Sequence, residues 1–269
     1  MKPKAVANAE PPQLGEEEIS NGPAKGTEKP LPLRALLTRP VVVSIGNYCM
    51  FGLLEIMSAS LLPLVWSTSV EFGGLGMNPA SIGFLIAGYG MMNGVCQFFA
   101  FPPIVGRFGP RCVFIASIFC FAPIFILFPL ENLASRHSTG GLNLATALLI
   151  VLQFISTCCS CMGFGEIFRT EFLFTLGAVT EAVSVEGAAF MYISSAAPKG
   201  SIGATNGISQ TMIAIQRTIG PATAASLFAF SLDNNILGGK FVYVVMLAIV
   251  CLGLCVAVQL PGNLWKDKE

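Results

Sequence analysis

Two ionisable side chains stand inside long apolar stretches of this sequence, where a charge is costly and therefore informative. Glu55 lies in a stretch from about residue 40 to 66, and Arg217 in one from about 202 to 231. A charged group within a membrane is by default a candidate functional group. This pair predicts either a substrate or proton site in an aqueous cavity, or a structural ion pair that fixes helix packing.

Amides and hydroxyls accompany these charges at the spacing of one helix face, because residues i, i+4, i+7 and i+11 lie on the same side of an α-helix. The stripes comprise Asn47, Glu55 and Ser58 in the first apolar stretch, Tyr89, Asn93 and Gln97 in the second, Gln153, Thr157 and Ser160 in the fourth, and Asn206, Gln210 and Arg217 in the fifth. The third and sixth stretches carry almost nothing polar, Ser117 excepted.

These stripes have two interpretations. Lipid offers no hydrogen-bond partners, so the amides must face one another or a cavity. A single Asn or Gln is explained by hydrogen bonding between packed helices, whereas four aligned stripes favour a water-filled pathway. The predicted substrate and proton pathway then consists of Glu55, Arg217, Asn47, Asn93, Gln97, Gln153, Asn206 and Gln210.

The composition is that of a membrane protein. Of the 269 residues, 54% are hydrophobic and only 11% charged, against about 25% charged residues in a typical soluble domain. The formal net charge is zero, which gives no support for nucleic-acid binding. His137 is the single histidine beside nine scattered cysteines, so we predict no metal site and no cofactor, and interpret the cysteines as packing residues.

Six stretches are long enough to cross a membrane, since about 20 apolar residues span roughly 30 Å of hydrocarbon. They run approximately over 40–66, 80–105, 112–130, 144–165, 202–231 and 241–260. Gly-rich or polar segments separate them, and Pro40 and Pro79 stand at predicted helix starts. The predicted fold is an all-α membrane protein, a bundle of six transmembrane helices. Two GxxxG patterns, Gly90 to Gly94 and Gly203 to Gly207, predict close helix contacts.

The basic residues predict the orientation of this bundle. Eleven lie on one side of the predicted spans and two on the other: Lys2, Lys4, Lys25, Lys29, Arg34, Arg39, Arg107, Arg111, Lys199, Lys266 and Lys268 against Arg136 and Lys240. Basic loops stay in the cytosol, so both termini are predicted to be cytosolic. We divide the chain into a disordered cytosolic segment (1–38), the bundle (39–261) and a cytosolic tail (262–269).

At this point the residues resemble a known family. The segment Gly106-Arg107-Phe108-Gly109-Pro110-Arg111 is similar to the cytosolic loop signature of the major facilitator superfamily, with its acidic position absent. The fifth stretch, with Arg217 and Gly220-Pro221, looks like the eleventh helix of fungal and plant facilitators related to drug:proton antiporters and zinc-induced facilitators. The chain thus resembles the C-terminal half of such a transporter, over about residues 31–260. The resemblance implies that the first, second, fourth and fifth helices line the cavity while the third and sixth face outward.

Two departures from the family pattern matter. The other six helices are not in this sequence, so the chain supplies one wall of a site that forms between two halves. It either pairs with another, N-terminal half, or is a truncated product or an incomplete gene model. In addition, 22 residues at 166–187 interrupt the fourth stretch. We hypothesise a retained intron, and the alternative is a genuine re-entrant or peripheral helix.

The sequence therefore predicts a secondary transporter, or half of one, that moves a small solute and is coupled to protons through groups such as Glu55. The alternative is a membrane bundle that does not transport and assembles with another membrane protein. An enzyme is disfavoured, because the sequence holds no His-rich cluster and no Ser-His-Asp set. The expected surroundings are a lipid bilayer, in the plasma or vacuolar membrane, and the substrate is not specified.

Overall fold

The structure is a computed structural model that describes residues 36–136, 143–162, 188–198 and 201–260. Within these ranges the chain forms helices and no strand. The helices are α1 (Arg39–Ser67), α2 (Pro79–Phe119), α3 (Phe121–Arg136), α4 (Leu144–Cys161), α5 (Ala188–Ala196), α6 (Ile202–Asp233) and α7 (Phe241–Ala257), with one 3₁₀ turn at Val70–Phe72. The predicted helical bundle is confirmed as a fold class.

Helix starts follow the expected chemistry. Pro40 lies in the first turn of α1, and α2 begins at Pro79. Proline loses nothing there, because the first backbone N–H groups of a helix have no partner within it. The side chain of Asn78 accepts a hydrogen bond from the Ser81 N–H at 2.7 Å, and Asn143 caps α4 by accepting from Ala145 N–H at 2.6 Å.

Two helical runs meet in the segment before Pro110 and are numbered together as α2. Gly109 is the kink between them, with φ 78° and ψ 158°, and it falls where the sequence predicts the boundary between the second and third spans. A positive φ favours glycine because it has no Cβ. The predicted third span, 112–130, is accordingly shared between the end of α2 and α3.

The end of α3 also differs from the prediction. The polar run after Leu130 was expected to be a loop, but α3 continues to Arg136 and buries both Glu131 and Asn132. Asn132 Nδ2 donates to the carbonyls of Val70 and Gly74 at 2.9 and 2.8 Å. The last turn of α3 therefore holds the connection between α1 and α2.

Among the described residues, three stretches are long and apolar enough to cross a membrane by length and composition: Arg39–Ser67, Pro79–Arg136 and Leu144–Cys161. The helix Phe241–Ala257 is apolar but shorter. The 32-residue α6 carries an internal polar stripe. The number of six spans therefore stays a prediction.

The core is centred on α1, which packs against α6 at unusually short range. A Cβ at Gly220 would lie 2.8 Å from Ile56 Cγ2, and one at Gly52 would collide with Ile213 Cδ1. Of the GxxxG glycines, Gly94 is buried, whereas a Cβ at Gly90, Gly203 or Gly207 would meet open space.

The hydroxyls of α6 are satisfied by their own helix. Thr211, Thr218 and Thr223 donate to carbonyls one turn back, those of Gly207, Ala214 and Ile219, at 2.8 to 3.1 Å. Thr223 also donates to the Gly220 carbonyl at 2.8 Å. Helix α6 continues through Pro221.

The short helix α5 belongs to the bundle. Tyr192 and Ile193 are buried in the main core, and Ser44 Oγ on α1 donates to the Tyr192 carbonyl at 3.3 Å. The predicted insertion at 166–187 lies outside the described residues. The same holds for His137, the tail after residue 260 and all but the last three residues of the predicted 1–38 segment.

Candidate functional site

A cavity of about 150 Å³ lies between α1, α2, α3 and α4 and collects much of the predicted polar stripes. Its polar lining consists of Glu55, Ser58, Tyr89, Thr157, Ser160 and Cys161. Phe121 and Phe154 supply apolar wall. Polar residues from the stripes of the first, second and fourth predicted helices therefore line the same cavity. The helical spacing of these residues indicates a shared face of each helix but not this convergence.

Glu55 is the acidic group of this cavity. Its side chain is half-buried, and it interacts electrostatically with Arg217 on α6. It also interacts with Tyr48, Tyr89 and Cys161. Within the described ranges Glu55 and Arg217 do not reach ion-pair distance, so the carboxyl is influenced by four helices without a direct cationic partner.

The α2 stripe is bound to the end of α4. Tyr89 Oη and Cys161 Sγ are 3.4 Å apart, and Gln97 Nε2 donates to the Cys161 carbonyl at 3.0 Å. Asn93 interacts electrostatically with the Cys161 side chain, while its Oδ1 is buried without a protein partner. Cys161 thus connects three α2 side chains to the cavity.

The α6 stripe points away from the core. Gln210 and Arg217 are exposed, although Gln210 hydrogen-bonds the Tyr48 side chain and Arg217 interacts electrostatically with it. Asn206 is half-buried, with its Oδ1 unpaired. Polar groups on an outward face of a membrane helix need water or another protein surface.

Glu55 is the only one of the eight predicted pathway residues that lines the cavity, and two of the others, Asn47 and Gln153, are buried within the bundle. Asn47 is 2% exposed and donates to the carbonyls of Val43 at 2.9 Å and Val256 at 3.4 Å. Gln153 is fully buried, and neither polar atom of its amide has a protein partner. The contacts of Asn47 are the interhelical kind that the packing interpretation describes.

The cytosolic-loop motif residues connect helices rather than form a pocket wall. Arg111 Nη2 donates to the Val258 carbonyl, just after α7, at 2.9 Å. The guanidinium of Arg107 lies 5.8 Å from the centre of the Phe108 ring. Gly109 supplies the helix break, and the space around Gly106 is open.

Sequence reasoning missed two neighbours of the site and one buried carboxyl elsewhere in the bundle. Tyr48 lies seven residues before Glu55, a spacing on the same helix face, so the α1 stripe could have included it. Cys161 was grouped with packing cysteines. Glu131 was placed in a loop, yet it is fully buried and its Oε2 accepts a hydrogen bond from Trp66 Nε1 at 3.3 Å.

The cysteines include a cluster around a second, larger cavity. It has a volume of about 550 Å³ and is lined by five of them: Cys96, Cys112, Cys120, Cys158 and Cys159. All nine cysteines are free. In the described part of the chain, no three His, Cys, Asp or Glu side chains converge as a metal site would require.

Comparison with known proteins gives relatives over most of the chain. It is 26% identical over 272 residues to the major facilitator-type transporter psiT2 of Psilocybe cyanescens, covering 96% of this chain and 45% of that protein. It is 25% identical to a probable peptide/nitrate transporter of Arabidopsis thaliana, covering 84% and 41%. It is also 25% identical to the Arabidopsis protein ZINC INDUCED FACILITATOR 1, covering 89% and 44%.

Two further comparisons found nothing: no family model matches the chain, and no solved structure matches it. The chain spans a little under half the length of the curated relatives it matches. Together with its long apolar helices, these relatives identify an integral membrane protein. The resemblance of this chain to half of a major facilitator superfamily transporter is thereby confirmed.

Proposed function

We propose that this chain forms one wall of a transport pathway for a small solute and works by alternating access. The observation that carries the proposal is the match of 96% of the chain to 45% of a major facilitator-type transporter. Transporters built from two repeats hold their substrate near the membrane midplane, between the repeats. The second wall is then another bundle, on the same polypeptide or on a partner.

The position of the polar groups supports this arrangement. Gln210 and Arg217 are exposed on α6, on the side away from the bundle core. Burying such groups against lipid would leave them without partners. A facing bundle that encloses water would satisfy them and place Arg217 beside the pathway.

We assign the proton-coupling role to Glu55. Its carboxyl lines the 150 Å³ cavity and interacts with Arg217, Tyr89 and Cys161 without a direct cation. A carboxyl in this setting can take up a proton from the pathway without breaking an ion pair. Arg217, Asn93, Gln97, Asn206 and Gln210 are assigned to solute contacts, and Asn47 and Gln153 to supporting positions.

The test is uptake into proteoliposomes. Nitrate and radiolabelled alanyl-alanine are suitable first probes, because one relative is named as a probable peptide/nitrate transporter. The purified chain is reconstituted alone and together with the first half of that relative. We expect uptake driven by an imposed pH gradient, reduced at least tenfold by Glu55→Gln, since a positioned acid–base group contributes about 10²-fold or more.

Glu71→Gln is the matched control, because Glu71 is exposed and lies in the connection after α1. It should leave uptake unchanged. Equal uptake by wild type and Glu55→Gln would remove the proton-coupling role. Absence of any uptake in both reconstitutions would instead favour a bundle that assembles with other membrane proteins.

A further inference from the structure

A second polar pocket lies at the other end of the described bundle, where α3 ends and α7 begins. Its volume is about 220 Å³, and both Arg136 and Lys240 line it. These two residues are the only basic side chains that the charge count assigns to the non-cytosolic side. The fold therefore brings these two positive charges, which are far apart in sequence, to one pocket.

Among the described residues, neither charge has a carboxylate at ion-pair distance. Arg136 Nη2 donates to the backbone carbonyl of Glu71 at 3.2 Å. No carboxylate lines the pocket among the described residues. Of the acidic residues nearby in sequence, Glu71 and Asp233 are exposed, and Glu131 is buried and bonded to Trp66.

Three glycines form part of the pocket wall. Gly73, Gly238 and Gly239 have φ of 95°, 67° and 77°. A bound group can approach this backbone closely, because glycine has no side chain.

The rim of the pocket is apolar and exposed. Phe72, Leu133 and Leu237 are 64%, 50% and 63% exposed. The pocket lies between α3 and α7, which belong to the third and sixth stretches, the two predicted to face lipid. Two cations beside exposed apolar side chains at a membrane surface match a phospholipid, whose phosphate sits directly above its acyl chains.

We propose that this pocket binds the phosphate group of a phospholipid in the non-cytosolic leaflet. Arg136 and Lys240 bind the phosphate oxygens, and Phe72, Leu133 and Leu237 contact the upper acyl chains. A free phosphate would use the two cations but would leave the apolar rim unused. The lipid site is separate from the Glu55 cavity, so it stands independently of the transport proposal.

The test measures lipid binding to the purified full chain in detergent by native mass spectrometry. Dioleoylphosphatidylglycerol is compared with a dioleoyl galactolipid, which has the same chains and no phosphate, and with soluble sn-glycerol 3-phosphate. A cation near the membrane surface contributes about fivefold in affinity. The double variant Arg136→Gln/Lys240→Gln should therefore weaken phosphatidylglycerol binding by about 25-fold.

The matched control removes two cations from the predicted opposite face, as Arg39→Gln/Arg107→Gln, and should retain the lipid within about threefold. If the first double variant does not fold, Lys240→Gln alone should weaken binding by about fivefold, because this side chain is exposed. Equal loss in both double variants overturns the proposal, as does equal binding of the galactolipid. Binding of sn-glycerol 3-phosphate as tightly as the lipid would assign the pocket to a soluble anion and also overturn it.

Discussion

At the scale of single residues, the described contacts separate groups that position the bundle from groups that are open to a pathway. Asn132 belongs to the first kind, since its one amide nitrogen reaches the carbonyls of both Val70 and Gly74. Glu55 belongs to the second, since it lines a cavity and has no direct cation. Both are polar side chains in apolar helices, and only their partners distinguish them.

Replacing Asn132 with Ala should destabilise the protein by about 1–3 kcal/mol, because two backbone carbonyls would lose their buried donor. Asn132 is 6% exposed, so water cannot easily substitute. The measurement is the midpoint of thermal unfolding in detergent, followed by size-exclusion chromatography of the fluorescently tagged protein.

Asn234→Ala is the control for this substitution. Asn234 is exposed and donates only to Phe230 within its own helix, at 3.0 Å. Its loss should change stability by less than about 0.5 kcal/mol. Equal destabilisation by the two variants would contradict the role given to Asn132.

Sequence reasoning found Glu55 and Arg217 because a charge among apolar residues is visible without a structure. It could not separate Asn47 from Asn93, since helical spacing gives a face and not a partner. Asn47 meets the α7 backbone at Val256, and that contact joins residues 209 positions apart. Glu131 was missed because polar residues after an apolar run are as typical of a loop as of a final helical turn.

At the scale of helices, the close contact between α1 and α6 depends on a few glycines. Gly220→Ala would place a methyl group 2.8 Å from Ile56 Cγ2, and overpacking of this kind costs about 1–3 kcal/mol. A lower unfolding midpoint is expected, measured as for Asn132. Gly207→Ala in the same helix should be neutral or slightly stabilising, because its Cβ would meet open space. If Gly207→Ala is the more damaging of the two, the packing of α1 on α6 is not as described.

The outward face of α6 should be in contact with water, and that of α7 with lipid. Gln210→Cys should therefore react with a charged methanethiosulfonate reagent, whereas Leu252→Cys should not. Gln210 is exposed on the polar stripe, and Leu252 is 57% exposed on the apolar α7. Intact mass spectrometry of membrane-embedded protein counts the added groups above those on the native cysteines. Labelling of both variants, or of Leu252→Cys alone, would contradict a lipid-facing α7.

The types of the main helices were predictable, and their ends were not. Pro40 and Pro79 mark starts correctly, because the missing proline N–H has no role in a first turn. The boundary near Gly109 was predictable from its glycines, but not that a single non-helical residue forms it. Three of the four GxxxG glycines meet open space, because small residues permit a close contact without requiring one.

At the scale of the whole molecule, composition and the distribution of charged residues predict the class of protein and its orientation, which short motifs do not. A chain with 11% charged residues can be placed in a membrane before any helix is assigned. The number of membrane crossings is harder to predict. Helix α6 is long enough to cross a membrane, but it carries many polar residues. The segment at 166–187 and both terminal segments remain predictions for which the described residues give no contacts.

The predicted orientation has a direct test. Arg107→Cys and Lys240→Cys should react with a membrane-impermeant maleimide from opposite sides of sealed vesicles, with Arg107→Cys accessible from the cytosolic side. The reason is the eleven-to-two distribution of basic residues under the positive-inside rule. Labelling of both from the same side would rule out this topology.

The threonines of α6 bear on how such a bundle can move. Thr211, Thr218 and Thr223 donate hydrogen bonds within their own helix. Their hydroxyl protons therefore need no acceptor on a neighbouring surface. A surface of this kind can exchange one neighbour for another, or for water, with every hydroxyl bond intact. A neighbouring helix can therefore move along the outer side of α6. Such a movement changes the contacts and hydration of α6, but it breaks no hydrogen bond that these hydroxyls donate.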